Sequence, residues 1–394
     1  MNSTDKLFLL DAYALIYRSY YAFIKNPRIN SKGFNTSAIL GFVNTLEEVL
    51  KKENPTHIGV AFDPSGPTFR HEAYEQYKAQ REETPEAIRL SVPIIKDIIR
   101  AYRIPILEVS GYEADDVIGT LATEAGRQGI ITYMMTPDKD YGQLVSDNVF
   151  MYRPKHSGGF EVMGIDEIKA KFNIRSTEQV IDMLGLMGDS SDNIPGCPGV
   201  GEKTAQKLVA EFDSIENLLA HTDQLKGALK TKVEANREMI TFSKFLATIK
   251  VDVPIKLDMT TLVREEPDEE KLRKIFEELE FRTLIDRVLK KSGAPLSSSS
   301  NSVSPDLYAG TLFARPVDSP TPENNGPVQG DLFANFADNG TGNAENSNLT
   351  HLEMLDVDYQ LIDTEEKRSE IIQKLLTTEI LSIDTETTGT EPME

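Results

Sequence analysis

Three aspartates each close a short apolar run. LFLL (7–10) is followed by Asp11, IGVAF (58–62) by Asp63, and ITYMMT (131–136) by Pro137 and Asp138. GYEADDVIGTLA (111–122) adds Glu113, Asp115 and Asp116 at the start of an amphipathic helical pattern. TPDKDYGQLV adds Asp140, and GDSSDNIPG adds Asp189 and Asp192. Each segment alone has an ordinary reading: an acid-capped solvated helix, an Asx turn, a turn or helix cap. Together they form a set of hard oxygen donors without His or Cys, which points to Mg²⁺ or Mn²⁺. Crowded carboxylates repel one another. A helix N-terminus relieves this partly, and a bound cation does so more effectively. Two such ions, typically ~4 Å apart, can activate a water and stabilise the leaving oxygen in phosphodiester hydrolysis.

Two other segments suit a polyanion. NIPGCPGVGEKTAQKLV (193–209) places Gly199, Gly201, Lys203 and Thr204 before a helix, where glycines let the backbone approach a phosphate and free amides can bind it. An apolar helix on each side makes this a helix–hairpin–helix pattern, whose backbone contacts position nucleic acid without reading its sequence. FRHEAYEQYKAQREETPE (69–86) reads as a largely polar helix carrying Arg70, Lys78 and Arg81 with Tyr74 and Tyr77. Lys78 and Arg81 are three apart and can face one phosphate, and Tyr77 can stack on an unpaired base. An ordinary solvated basic helix is the plainer reading. Arg18 in LIYRSYYAF is a further candidate phosphate contact.

The acids are far apart in sequence, so the fold must gather them. Apolar runs alternate with helical patterns such as SAILGFVNTLEEVLKK (37–52) and PEAIRLSVPIIKDIIRAY (85–102), which predicts an α/β fold with a mainly parallel sheet flanked by helices. In such sheets ligands bind beyond the carboxyl ends of the strands, where three strand-end aspartates would meet. From about residue 165 the pattern is mainly helical, including a long stretch near 226–250. Expected domains are therefore an α/β unit over 1–165 and a helical unit over 166–290. Residues 291–350, rich in Ser, Asn, Pro and Gly, read as a disordered linker, with LFARP and LFANF as small apolar islands. Residues 351–394 read as the opening of a second α/β domain. The expectation is a fragment of a longer protein.

A net charge of −21 opposes nucleic-acid binding, but residues 291–394 hold 18 acids against 5 bases and the first 290 hold 45 against 37. Nine of those 45 are the candidate ligands. Cys197 is the single cysteine, which excludes an internal disulfide and a cysteine-built zinc site. No run of about 18 apolar residues predicts a membrane span, and the N-terminus lacks a signal-peptide pattern. A reducing cytoplasm is expected.

On these motifs, in this order, residues 1–290 resemble the 5′-nuclease domain of bacterial DNA polymerase I, a relative of the flap endonucleases. The resemblance implies a PIN-like 5′-nuclease fold with a helical arch, and hydrolysis at 5′ ends, flaps and nicks, RNA primers included, by a monomer. It implies a first ion at Asp11, Asp63, Glu113, Asp115 and Asp116, and a second at Asp138, Asp140, Asp189 and Asp192. Lys78 and Arg81 would be the arch's catalytic basic pair. Residues 189–209 would be a helix–three-turn–helix grip on duplex DNA, with a potassium site. In the tail, Asp384 and Glu386 of SIDTETTG would be the first metal pair of a truncated 3′–5′ exonuclease domain. Two other classes compete: a non-catalytic branched-DNA-binding module, and a PIN-type ribonuclease, which would generally lack the helical extension.

Overall fold

The computed structural model describes residues 5–155 and 159–289, with Lys367, Ser369 and Gln373. The chain divides into two units, 1–335 and 336–394, and the architecture below belongs to the first. The expected linker and the tail pair Asp384 and Glu386 lie outside the described residues.

One sheet contains β1 (Lys6–Asp11), β2 (His57–Ala61), β3 (Ile106–Leu107), β4 (Ile131–Met135), β5 (Val149–Pro154) and β6 (Phe160–Met163), in the order β3-β2-β1-β4-β5-β6. All neighbours are parallel except β5 and β6. Strand order reverses at β1, so a crevice opens beyond the carboxyl ends of β1 and β4. Asp11 pairs with Ala61, and Leu10 with Met135, which brings the three aspartate-bearing strands level at this edge.

Apolar runs in the sequence are continuous because the sheet is covered on both faces. Leu7 and Leu9 enter one core with Met134 and Met151, while Phe8 and Leu10 enter the other with Ile58, Val60 and Met135. In chain order the helices begin with α1 (Ala12–Ala22), α2 (Ser37–Lys52), α3 (Phe69–Ala73), α4 (Glu86–Ala101) and α5 (Ala114–Arg127). They continue with α6 (Ile165–Phe172), α7 (Gln179–Met187), α8 (Glu202–Phe212), α9 (Ile215–Ala220) and α10 (Gly227–Ala235). Last come α11 (Arg237–Ala247), α12 (Met259–Leu262), α13 (Glu269–Glu278) and α14 (Arg282–Leu289). Helices α1, α2, α4, α13 and α14 pack on the Phe8 face, and α5 to α12 build the other core. The expected helices 37–52 and 85–102 are α2 and α4. The stretch near 226–250 is two helices, α10 and α11, separated at Asn236.

Between α7 and α8 the chain makes a tight hairpin loop. Asp189 and Ile194 exchange backbone hydrogen bonds at 2.9 and 2.8 Å. Gly188 (φ 72°) and Gly196 (φ 64°) pass so closely that a Cβ on Gly196 would overlap the backbone nitrogen of Gly188. Left-handed φ and the absence of space both demand glycine here. We expect Gly196→Ala to cost about 1–3 kcal/mol, the usual range for a side chain forced into a disfavoured backbone region. Thermal or urea unfolding checks this, and a wild-type melting temperature would contradict the close approach.

Candidate active site

Glu113 is the N-cap of α5, and its backbone N–H donates to Asp116 Oδ2 at 3.1 Å. Ala114 N–H donates to Asp63 Oδ1 at 2.8 Å, and Asp116 N–H to Asp115 Oδ1 at 2.7 Å. Carboxylates thus satisfy the first amides of α5, where the helix dipole favours negative charge. Among the described residues, Glu113, Asp115 and Asp116 each present an oxygen within 4.8 Å of the others, a group able to hold a divalent metal ion. Beneath them lies Arg70, 1% exposed. Its guanidinium grips both oxygens of Asp116 at 2.7 and 2.8 Å and reaches Glu113 at 3.2 Å.

A second acidic group faces the first. Asp138 caps the 3-10 turn Lys139–Leu144 after β4, accepting from Asp140 N–H at 3.0 Å. Asp189 and Asp192 sit on the hairpin loop after α7. Asp189 accepts from Ser191 N–H at 2.7 Å and pairs with Lys139 at 2.9 Å. Asp140 Oδ1 is the one buried side-chain nitrogen or oxygen, among the described residues, with no hydrogen-bond partner. Such an atom is costly unless something satisfies it.

Two side chains bridge the groups. Tyr77 donates towards Glu113 Oε2 (3.0 Å) and Asp192 Oδ2 (3.1 Å). Lys78 Nζ lies 2.8 Å from Glu113 and 3.7 Å from Asp192, and Arg81 pairs with Asp192. At the sheet end, Asp11 accepts from Thr136 and Tyr141 at 3.2 and 3.3 Å. Burial pushes the Asp11 carboxyl up to about 7, and the charges of Asp63 and Asp138 add to this. Burial raises Asp115 and Asp140 well above the ordinary range, and the charges of Asp116 and Asp138 respectively add to it. Burial would raise Asp192 too, but Lys78 and Arg81 hold it at about 2. Lys78 and Arg70 likewise depress Glu113 against its burial. The site therefore combines paired carboxylates with carboxylates whose charge burial disfavours. A divalent ion would favour their charged form. The oxygen-only donor set and the orphaned Asp140 oxygen fit such an ion.

The sequence matches a family described as 5′-3′ exonuclease, N-terminal resolvase-like domain, over residues 6–173, and one described as 5′-3′ exonuclease, C-terminal SAM fold, over residues 175–270. A 5′-3′ exonuclease of Aquifex aeolicus is 37% identical over 284 residues, covering 72% of this chain and 95% of that one. The chain belongs to the 5′-3′ exonuclease family. This exonuclease chain is also 41% identical over 286 residues to DNA polymerase I of Bacillus caldotenax, covering 72% of itself and 32% of the relative. It spans about a third of the length of the DNA polymerases I it matches. Among solved structures, T5 5′-exonuclease with bound zinc shares the fold at TM-score 0.54 and 19% identity, covering 70% of this chain and 98% of that one.

Of the positions expected from the sequence, the exonuclease brings the nine acids within electrostatic reach of one another, and among the described residues only Glu113, Asp115 and Asp116 lie close enough to share one ion. Gly199, Gly201 and Lys203 are exposed and Thr204 half-buried at the start of α8. Arg18 is half-buried and donates to the Lys155 carbonyl at 3.3 Å. Three expectations need correction. Residues 69–86 are not one polar helix: α3 ends at Ala73, and turns follow with Lys78 at φ 57°. The chain turns because Lys78 N–H donates to the Asp192 carbonyl and Asn193 to the Gln76 carbonyl, tying the segment to the hairpin loop. Tyr77 is 3% exposed, with its hydroxyl engaged by two carboxylates, so its ring is not free to stack on a base. Arg70 is sealed in the core and cannot touch DNA. Lys139, Thr136 and Tyr141 were missed. The flanking aspartates of Asp138-Lys139-Asp140 were the available signal for Lys139, while Tyr141 meets Asp11 only through the fold.

The raised Asp11 carboxyl sets a pH dependence. Between its ordinary 3.8 and about 7, folded Asp11 holds a proton that the unfolded chain has lost. This stabilisation is complete below the lower value and disappears as pH rises through the upper one. His71, lowered by burial from 6.5, works in the opposite sense only below that value. Without divalent ions, the melting temperature should fall as pH rises from about 6.5 through about 7, and Mg²⁺ should raise it most at the upper end. A flat profile unaffected by Mg²⁺ would count against the buried acid pocket.

Proposed function

We propose that the chain is a metal-dependent 5′-3′ exonuclease and structure-specific flap endonuclease that hydrolyses DNA phosphodiesters at 5′ flaps, nicks and free 5′ ends, primer RNA included. The observation that carries this is the convergence of nine acids on one crevice, with a buried Asp140 oxygen left unsatisfied. Asp11, Asp63, Glu113, Asp115 and Asp116 would hold one Mg²⁺ or Mn²⁺, and Asp138, Asp140, Asp189 and Asp192 a second. When bound, such ions supply an activated water and charge stabilisation at the leaving oxygen.

The chain's own residues do the rest. Lys78 and Arg81 are paired with Glu113 and Asp192 in the free chain. On this reading they exchange those partners for the scissile phosphate and steady its developing charge. Arg18 touches the same strand. The exposed Gly199–Thr204 turn, with the free amides of α8, grips the duplex backbone through phosphates, and carbonyls of the 189–209 region would hold a potassium ion. Arg70 and Tyr77 orient acids rather than DNA.

In the proposed division of labour, residues 1–165 perform chemistry and 166–290 hold duplex. Residues 291–350 tether the nuclease to a 3′–5′ exonuclease domain that opens with Asp384 and Glu386, as part of a cytoplasmic, monomeric DNA polymerase I acting in primer removal and repair. No helix among the described residues is long and apolar enough to cross a membrane. The helical extension on α6 to α11 favours DNA over a PIN-type ribonuclease role.

A labelled 5′-flap substrate tests the proposal. Cleavage near the junction should require Mg²⁺ or Mn²⁺ and stop with EDTA. Asp115→Asn or Asp140→Asn should reduce it to background while branched-DNA binding persists. Turnover that survives EDTA, or binding without any cleavage in either metal, would overturn the reading.

A further inference from the structure

Besides the contacts of the hairpin loop, the acid site is strapped to the helical half of the molecule by a short segment, Leu246–Lys250, made of the last two residues of α11 and the three that follow. Five successive residues of this strap give a backbone group to side chains of the acid site. Arg70 Nε donates to the Leu246 carbonyl (2.9 Å) and Nη2 to the Thr248 carbonyl (2.8 Å). Gln143 Nε2 donates to the Ala247 carbonyl (3.0 Å), and its Oε1 accepts from Ile249 N–H (2.9 Å). Lys250 N–H donates to Asp116 Oδ1 (2.8 Å).

Both clamping side chains are themselves bound to the acids. Arg70 holds Asp116 and Glu113. Gln143, 8% exposed, is three residues from Asp140 and also donates to the Asp140 carbonyl at 3.0 Å. The other end of the connection is the hairpin loop. Gly196 N–H donates to Ser243 on α11 at 2.9 Å, and Lys244 pairs with Asp182 on α7 at 2.6 Å. Gly185 of α7 lies so close to α11 that an added Cβ would sit 3.0 Å from Lys244 Cα.

We infer that Gln143 and Arg70 are positioning residues. By clamping the 246–250 strap from two sides, they fix the two acid groups at a set separation and tie both to the loop that would hold duplex DNA. Neither touches substrate. Gln143 suits the task because its amide offers a donor and an acceptor in one plane, matching an alternating carbonyl and N–H on the strap. Arg70 suits it because a planar guanidinium serves carboxylate and carbonyl acceptors together, which lysine cannot reproduce.

The inference rests on the nuclease reading, and its test separates the two. Cleavage of a 5′ flap by the full 394-residue chain is measured against Mg²⁺ concentration, for wild type, Gln143→Leu, Gln143→Asn and Arg70→Lys. Residues that orient metal-binding side chains typically change metal affinity or activity by about 10- to 100-fold when lost. We expect a half-saturating Mg²⁺ concentration raised by about 10-fold or more and a lower kcat, with KM for DNA within about twofold. Partial recovery at high Mg²⁺ is expected. A purely structural defect would instead lower the melting temperature and the active fraction without moving the Mg²⁺ midpoint. Should the leucine variant fail to fold, the shorter asparagine, which keeps the amide but cannot span both strap groups, carries the test. A Mg²⁺ midpoint and kcat within twofold of wild type would overturn the inference. Wild type that does not cut with Mg²⁺ would overturn the nuclease reading, and this inference with it.

Discussion

Mutual repulsion among carboxylates is the constraint on which the rest of this structure depends. Nine acids line one crevice, and the cations that contact them are Arg70, Lys78, Arg81 and Lys139. Two of these cations stand beside carboxylates that can scarcely reach water. Arg70 lies under Asp116, which is fully buried, and Lys139 beside Asp189, which is 7% exposed. Removing a partner from a buried ion pair costs about 3–5 kcal/mol because a charge is left stranded. At Asp11, Asp115 and Asp140 burial and neighbouring acids prevail, and their carboxyls are raised instead. The site is thus balanced between paired carboxylates and carboxylates whose charge burial disfavours.

This balance also answers how an acidic protein can serve a polyanion. On the proposed reading, the acids would hold divalent ions whose charge offsets their own, leaving a surface able to accept phosphate. Lys78 and Arg81, paired with Glu113 and Asp192 in the free chain, would be available to a phosphate if those carboxylates held an ion. The left-handed backbone at Lys78 is consistent with a segment held down by its contacts to the hairpin loop rather than by its own helical preference.

What could be read from the sequence follows from the range of the interactions concerned. Asp11, Asp63 and Asp138 were legible because buried strands announce themselves as apolar runs, and parallel sheets put ligands at the strand ends. Glu113, Asp115 and Asp116 were legible as a helix start. The course of residues 69–85 was not. Its composition suits a polar helix, but contacts to Ser191 and Asp192, more than 100 residues away, decide its path. Arg70 and Tyr77 were misread for the same reason. A basic or aromatic residue near catalytic acids looks like a substrate contact until burial shows that its partners are the acids themselves. Gln143 gave no signal, since a glutamine is informative only once its acceptors and donors are known.

Structure-specific cutting needs two measurements made at once: that duplex is present, and that a strand departs from it at a fixed distance. A site built on separate flexible loops could make either but could not relate them. Here the exposed turn before α8 and the acids belong to different parts of the chain, yet α7 packs closely on α11 and the 246–250 strap ties α11 to the acids. On the proposed reading, the distance from grip to cut would be a property of packed helices, which resist small deformations, rather than of base contacts. This accounts for a nuclease that would read shape while making no demand on sequence.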